Sequence, residues 1–569
     1  MSVFFNGRLI VSPATMTRVD DTAMYNRNPA IGNVLAIIGP SDGGKPLTAL
    51  RFGSTAEAKS VLRGGESLKA IEKAFDASPQ TAAPSTVVFV RVNPATQSVL
   101  TLKDAADNES INLVSEGYGR FTRNIRIKVE SGTLRGKKLT TQFGNDFYTL
   151  DNVARNAIEV SYSGAATAAS ITVADGAVTL TADAVDVVLD LTDFSTVAAL
   201  ADRINAEPDF TAEVLDGNHN QMALNALDAV TAQDIKVDPY IITGNLQACI
   251  DWINGAGEGF VTATRAVGAT AVPANIPFSY LDGGSDGVTT VSEWQDAFDE
   301  LQKEDVQWLV PVSDDPAIHA MTSTHVSFMS DVARMERRAI VGTALDTLDD
   351  DAIAAAKLIN SDRVSLTHLG FYDYDERGAL KLYPAYIMAA LLGGMICGVN
   401  PGTPLTNKAV NVRGLERKLR NPVDTDQLIL GGVLTVEETN QGFKVVKSIS
   451  TWLINRNYNR VEISTGVAMD YVARAIRESL DALRGSKASP ILLSDAVSRT
   501  ETTLIELSRV EPQGIGVLVG DKVNPPFRNI QASIEGDVLR VQFECSPVLP
   551  VNYILATIHA VPWSGSASI

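Results

Sequence analysis

Apolar and polar residues are ordered in three different rhythms along this 569-residue chain. Short runs that are apolar throughout predict buried strands: Val34-Leu35-Ala36-Ile37-Ile38, Val87-Val88-Phe89-Val90, Trp308-Leu309-Val310-Pro311-Val312 and Ala339-Ile340-Val341-Gly342; Val364 to Leu369 is a further strand. Between them, apolar residues recur every three or four positions, the spacing of an amphipathic helix. Such segments carry Ala58, Val61 and Leu62 after a Ser54 cap, then Leu68, Ile71 and Phe75, then Trp294, Phe298 and Leu301 behind a capping box of Ser292 and Gln295. Two further helices are expected from Pro316 to Met335 and through Ile353 and Leu358. Strand followed by helix at these distances implies an α/β core domain with a largely parallel sheet.

From about Thr101 to Pro277 the rhythm changes to strict alternation. Asn124 to Glu130, Leu139 to Phe143, Ile158 to Tyr162 and parts of Val178 to Leu189 read as half-buried strands, with a helix at Val197, Leu200 and Ile204. This stretch reads as a β-rich inserted domain that decorates a surface. After the core pattern resumes, Leu382 to Val399 runs eighteen residues without a charge. Pro384, Gly393, Gly394 and Gly398 interrupt it, and its aromatics lie at one end, so it reads as a buried helix and not a membrane span. Gly442 to Trp452 reads as a long strand. A helix from Thr465 to Arg484 turns Met469, Val472, Ile476 and Leu483 inward and Arg474 and Arg477 outward, and another runs from Ser494 through Leu507. Ile530, Ala532 and Ile534, then the turn Glu535-Gly536-Asp537, then Leu539, Val541 and Phe543, make a β-hairpin.

Two segments have no evident place in these domains. Tyr553-Ile554-Leu555-Ala556-Thr557-Ile558 is a strand that is apolar on both sides, separated from its hairpin by the proline-held spacer Ser546 to Pro550, as if to complete another molecule's sheet. Near the other end, Thr15-Met16-Thr17-Arg18-Val19 is rich in β-formers and fits either an unstructured leader or a second outlying strand. The resulting division is an N-terminal arm (1–28), a core domain in two parts (29–100 and 278–545, with a C-terminal α/β subdomain from about 425), the insertion (101–277) and a C-terminal arm (546–569).

Composition narrows the function. A net charge of −19 opposes nonspecific binding to polyanionic nucleic acid. Cys249, Cys397 and Cys545 lie far apart in apolar surroundings, as buried thiols in a reducing compartment do, and the first residues lack the pattern of a signal peptide. Gly39 to Pro46 has the glycine and lysine spacing of a phosphate-binding loop. However, Pro46 stands where a Mg²⁺-binding hydroxyl is needed, and no helix follows at once. His319 and His325 are six apart, on different helix faces, and so cannot chelate one metal. Asp346, Asp349, Asp350 and Asp351 suit a helix N-terminus better than a metal site. No catalytic residue, cofactor or metal is expected. The basic run Lys408, Arg413, Arg417, Lys418 and Arg420 is either a solvated face or a surface for meeting an acidic partner, and Arg413, Arg417, Lys418, Arg474 and Arg477 are the candidates for facing such a partner.

Taken together and in order, several elements resemble the contractile tail sheath proteins of myovirus-type bacteriophages. They are Ile37 to Gly44, Val88-Phe89-Val90-Arg91-Val92, Leu281-Asp282-Gly283-Gly284-Ser285-Asp286-Gly287, Pro384 to Gly394, Lys444 to Thr451 and Ser546 to Ile554. The resemblance implies a structural subunit, not an enzyme, that polymerises with itself as stacked hexameric rings around a tail tube protein, between baseplate and tail terminator proteins. It would contract to drive the tube through the host envelope. Strand exchange through Thr15 to Val19 and Tyr553 to Ile558 would link the copies, and the five basic residues would face the tube. The subunit would be assembled in the host cytoplasm into the virion tail, with neither nucleic acid nor stable membrane insertion. The alternatives are the sheath of a phage-derived injection or secretion device, a nucleotide-binding α/β enzyme, and an adhesin whose β-module binds glycans.

Overall fold

In the computed structural model, which describes residues 3–5, 8–10, 34–255, 259–511, 513–560 and 563, a six-stranded sheet holds the core. Its order is Val364–Thr367, Arg338–Gly342, Trp308–Pro311, Val34–Gly39, Thr86–Arg91, Ala49–Phe52. The first five are parallel and the last is antiparallel. Four of the parallel strands contain the apolar runs of the sequence, the fifth carries Ser365 and Thr367, and every residue in the five except Val34 and Thr86 is buried. Ala49–Phe52 gives no such signal, because an edge strand with Arg51 exposed needs no continuous apolar run.

Helix Ala385–Cys397 is the apolar segment that resembled a membrane span, and every residue in it but Tyr386 is buried. It lies across the sheet and against helix Glu66–Phe75. A side chain at Gly394 would collide with the backbone of Ala74, so glycine permits this close helix contact. Among the described residues no helix is long and apolar enough to cross a membrane. Helices Val291–Leu301, Pro316–Asp331 and Asp349–Ile359 pack in series and complete the covering of the strands. The first starts earlier than expected: its capping box is Thr290 with Glu293, whose carboxylate accepts from the Thr290 backbone N–H at 2.7 Å. Ser292 and Gln295 match the same pattern two residues out of register, and the Trp294, Phe298 and Leu301 face is unchanged. Asp349, Asp350 and Asp351 occupy the first turn of their helix, where the positive dipole end favours them.

The expected strand from Gly442 to Trp452 is shorter, Gly442–Val445, paired with Val436–Thr439. Beyond it the chain turns to cover the sheet edge, where the Thr451 N–H donates to the Val364 carbonyl at 2.8 Å and the Leu434 N–H to that of Leu366 at 2.8 Å. Ser448, Ser450 and Thr451 are buried there. Their hydroxyls can serve an irregular edge cover, which apolar alternation alone does not reveal.

The β-rich region contains two apolar cores. One gathers Leu102, Ile111, Ile125, Val129, Leu139, Leu246, Ile250 and Leu281. The other lies within residues 157–242 and gathers Ile158, Ile171, Val178, Leu200, Ile204 and Ile242. The second unit leaves and re-enters the first at adjacent points: the Gly244 N–H donates to the Arg155 carbonyl at 2.9 Å. It also reaches across through Asp228, whose carboxylate accepts from the N–H groups of Asn245 and Leu246 at the start of helix Asn245–Gly255.

Where the first unit joins the core sheet, two glycine-rich stretches of the sequence and the loop at Tyr118 converge on one side chain. Arg91, fully buried at the end of its strand, donates to the carbonyls of Gly44 and Tyr118, both at 2.8 Å, to Asn93 Oδ1 at 3.0 Å and to Asp286 at 3.4 Å. Burial pushes its pKa down while Asp286 and Asp42 pull it up, so the neighbouring carboxylates help keep the buried group charged. The loop that imitates a phosphate site is therefore filled: the Gly44 carbonyl points at the guanidinium, and Ser41 is bound to Asn93.

Two outcomes follow. Arg91→Ala, which strands several buried acceptors, is expected to lower unfolding free energy by about 3 kcal/mol or more. Asp286→Asn, at a carboxylate that is 40% exposed, should cost about 1 kcal/mol or less; denaturant titration of both variants measures the contrast. Replacing residues 156–243 by a short Gly-Ser linker should leave a folded remainder, destabilised by about 1 kcal/mol through loss of the Asp228 cap, as read by circular dichroism and calorimetry.

Candidate functional site

At the C-terminal end, helices Ile463–Asp481 and Pro490–Ser508 pack together and support the hairpin Phe527–Glu535 with Val538–Cys545. The helices are longer at their N-terminal ends than expected, the second starting behind Ser489, whose side chain accepts from the Leu492 N–H. Their shared core is Ala468, Tyr471, Val472, Ala475, Leu504 and Leu507, joined by the half-buried Ile476, Phe527, Ile530 and Phe543. The hairpin alternates as expected, with Ile530, Ala532, Ile534, Leu539, Val541 and Phe543 on its more covered face. Its strands pair only with each other, so among the described residues both outer edges lack a neighbouring strand.

The spacer after the hairpin is not free. The Ser546 N–H donates to the Pro526 carbonyl at 2.9 Å, the Val519 N–H to Ser546 at 3.0 Å and the Val548 N–H to Val517 at 3.0 Å. Thr465 Oγ1 donates to the Val548 carbonyl at 3.3 Å, and the Val548 side chain lies over Gly402, which has no room for a Cβ. Prolines hold this piece extended, but a strip of backbone hydrogen bonds ties it to the body. The exit point therefore lies at Asn552, further along than Ser546 to Pro550.

Asn552 is half-buried and held from both ends of its amide. Its Nδ2 donates to Glu462 Oε1 at 2.8 Å, and its Oδ1 accepts from Thr406 Oγ1 at 3.1 Å. The same Glu462 oxygen is 3.2 Å from Lys447 Nζ, and that ammonium lies 5.7 Å from the centre of the Tyr553 ring. Glu462 is fully buried and its other oxygen, Oε2, has no hydrogen-bond partner among the described residues. Burial pushes its pKa up, against the opposing pull of Lys447 and Asn552. Sequence reading missed this carboxylate; the available signal was an acid set between Val461 and Ile463 at a helix start.

Past Asn552, the expected strand Tyr553, Ile554, Leu555, Ala556, Thr557, Ile558 has no regular secondary structure in the single chain. Its large apolar side chains stand in solvent: Tyr553 is 75% exposed, Ile554 87%, Leu555 96% and Ile558 90%. Burial in a sheet, expected from its composition, is not provided by the described residues of its own chain. The expected N-terminal segment Thr15, Met16, Thr17, Arg18 and Val19 lies outside the described residues; ahead of it, Val3–Phe5 pairs with Arg8–Ile10.

The basic candidates fall into two groups with different partners. Arg417 binds Asp349, which also meets His368 at 2.9 Å, and Lys418 is 3.6 Å from Glu438. Arg413 is exposed beside the Tyr374 ring. Arg474 and Arg477 do not project outward as the helix pattern suggested. Both bind Glu336, and the Arg474 side chain is only 11% exposed, because the 334–338 segment packs over that face of the helix. His319 is bound to the Ser313 carbonyl at 3.0 Å, whereas His325 accepts from Arg337 at 2.9 Å, and burial with the Arg337 charge lowers its pKa to about 3.

No protein-family model matches the chain. The tail sheath protein of Bacillus phage SP01 is 30% identical over 585 residues, covering 99% of this chain and 98% of that protein. The tail sheath protein of Staphylococcus phage Twort is 24% identical over 97% of this chain and 98% of its own length. Sheath tail proteins from Listeria innocua and Desulfitobacterium hafniense share the fold, with TM-scores of 0.56 and 0.55 at 13% and 11% identity. The first alignment covers 93% of this chain and 94% of that protein, the second 94% and 97%. A resemblance that runs from end to end, in sequence and in fold, settles the family: the chain belongs to the phage tail sheath proteins.

Proposed function

We propose that this chain is the structural subunit of a contractile phage tail, polymerising as stacked hexameric rings around a tail tube and shortening to drive the tube through the host envelope. The observation that carries this reading is the C-terminal arm: six consecutive residues rich in large apolar side chains stand exposed, beyond a spacer tied to the body by backbone bonds. Leaving such a segment in water is unfavourable by roughly 25 cal/mol for each Å² of apolar surface, a cost removed when it pairs within another copy's sheet. The hairpin Phe527–Cys545, with two open edges, supplies a matching acceptor. Backbone pairing to a neighbour keeps copies attached while their bodies move. Such a polymer derives its work from the difference between two packings, on the order of a few kcal/mol per subunit, added over many.

On this reading the partners are further copies of the chain, a tube protein, and baseplate and terminator proteins, in a virion tail assembled in the host cytoplasm without nucleic acid or membrane insertion. Thr15 to Val19 would form the second exchanged strand. For the tube-facing surface, Arg413 and Lys418 keep exposed charged ends, whereas Arg417, Arg474 and Arg477 are engaged within the subunit.

Truncation after Asn552 tests the reading. The shortened protein is expected to melt as the full chain does and to stay monomeric, with no tubes by electron microscopy. Tubular assembly by the truncated chain would sink the arm model.

A further inference from the structure

The arm leaves the body through a clamp unlike any apolar contact around it. Just before it the chain is held by apolar packing of Val548 and by backbone hydrogen bonds to residues 517–519. At Asn552 the hold consists of a buried carboxylate, a lysine and a hydroxyl. Glu462 presents Oε1 to Asn552 Nδ2 at 2.8 Å and to Lys447 Nζ at 3.2 Å, while Thr406 closes the other side of the same amide at 3.1 Å. Tyr553 then lies beside Lys447, so one ammonium contacts both the carboxylate and the first ring of the arm. A fully buried acid with one unpartnered oxygen costs stability and gives nothing to the core. Its polar contacts, however, are directional, and an amide held at both ends fixes the orientation of the backbone that carries it.

We propose that Glu462, with Lys447, is a positioning residue for assembly: the clamp on Asn552 sets the direction in which the arm leaves and so which edge of a second copy it reaches. The proposal rests on the arm reading above and adds to it that the exit angle is specified by the subunit before any partner arrives. A hydrophobic root would permit sliding, since apolar contact does not favour one direction, whereas the fork of hydrogen bonds at Asn552 does.

The test uses the full chain and three variants, Asn552→Ala, Asn552→Asp and Asn552→Asp combined with Glu462→Gln. The readouts are the concentration at which tubes form, tube regularity by electron microscopy, and monomer melting. Asn552→Asp sets a second carboxylate against Glu462 and is expected to raise the critical concentration about tenfold or more. Asn552→Ala should have a smaller effect of the same sign. In the double variant the amide–carboxylate pair is restored with its roles exchanged, the amide at 462 donating to the carboxylate at 552, so assembly should return to within about threefold of the parent. A structural role limited to the monomer would move melting and not show this rescue. If Asn552→Asp assembles like the parent, or if Glu462→Gln fails to rescue it, the clamp proposal falls while the arm reading stands. If truncation after Asn552 leaves assembly intact, the arm reading itself falls and the clamp with it.

Discussion

A single buried guanidinium joins the parts of this subunit. Arg91 sits where the parallel sheet ends, and its donors are shared among the Gly39 to Pro46 turn, the entrance of the β-rich insertion at Tyr118 and its return at Asp286. Five fixed donors on a planar group can meet several acceptors at once, which a lysine cannot do. The glycines around it follow from the same constraint. A side chain at Gly119 would meet Asp42 and Asp286, and one at Gly284 would meet Ser98 and Thr122. The glycine-rich stretches Gly39 to Pro46 and Leu281 to Gly287, with the loop at Tyr118, are thus pieces of one junction, and the loop with the spacing of a phosphate site is occupied by the protein itself.

The architecture outward from that junction is nested. The sheet and its helices form the largest core, the first β-rich unit departs from the sheet near Arg91, and the second departs from the first at Arg155 and Gly244. Each step has its own apolar cluster and a narrow connection. Such a division keeps each body rigid individually, because strain at a contact then moves whole units and does not melt a core. The C-terminal unit differs in kind: its core is small, its hairpin is half-covered and its last apolar segment stands exposed among the described residues.

How legible this was depends on which force organises each piece. Four of the parallel strands could be read from runs of apolar residues and the covering helices from apolar residues three or four apart, since elements buried in a core are largely apolar. The hairpin could be read from alternation. The edge strand Ala49–Phe52, the edge cover at Ser448 to Thr451 and the Thr290 cap were missed or misplaced, because they depend on hydrogen bonds whose partners lie elsewhere in the chain or on a choice between two equally good cap patterns. Arg474 and Arg477 illustrate the same limit. The helix period places them away from their own apolar stripe, yet the fold brings the 334–338 segment over them and turns apparent surface cations into a bound pair on Glu336.

The sequence by itself determined the mixed α/β character of the fold and the apolar composition of its terminal segment, because burial of apolar area is a local property of residue order. Only the tertiary structure decided where that segment becomes free and what holds its root. The spacer Ser546 to Pro550 is tied down by residues 517–519, and the exit is fixed by Thr406, Lys447 and Glu462, which lie 90 or more positions from Asn552 apart from what folding brings near. Polar contacts of this kind carry no periodicity along the chain, so their partners are defined only when the fold has closed.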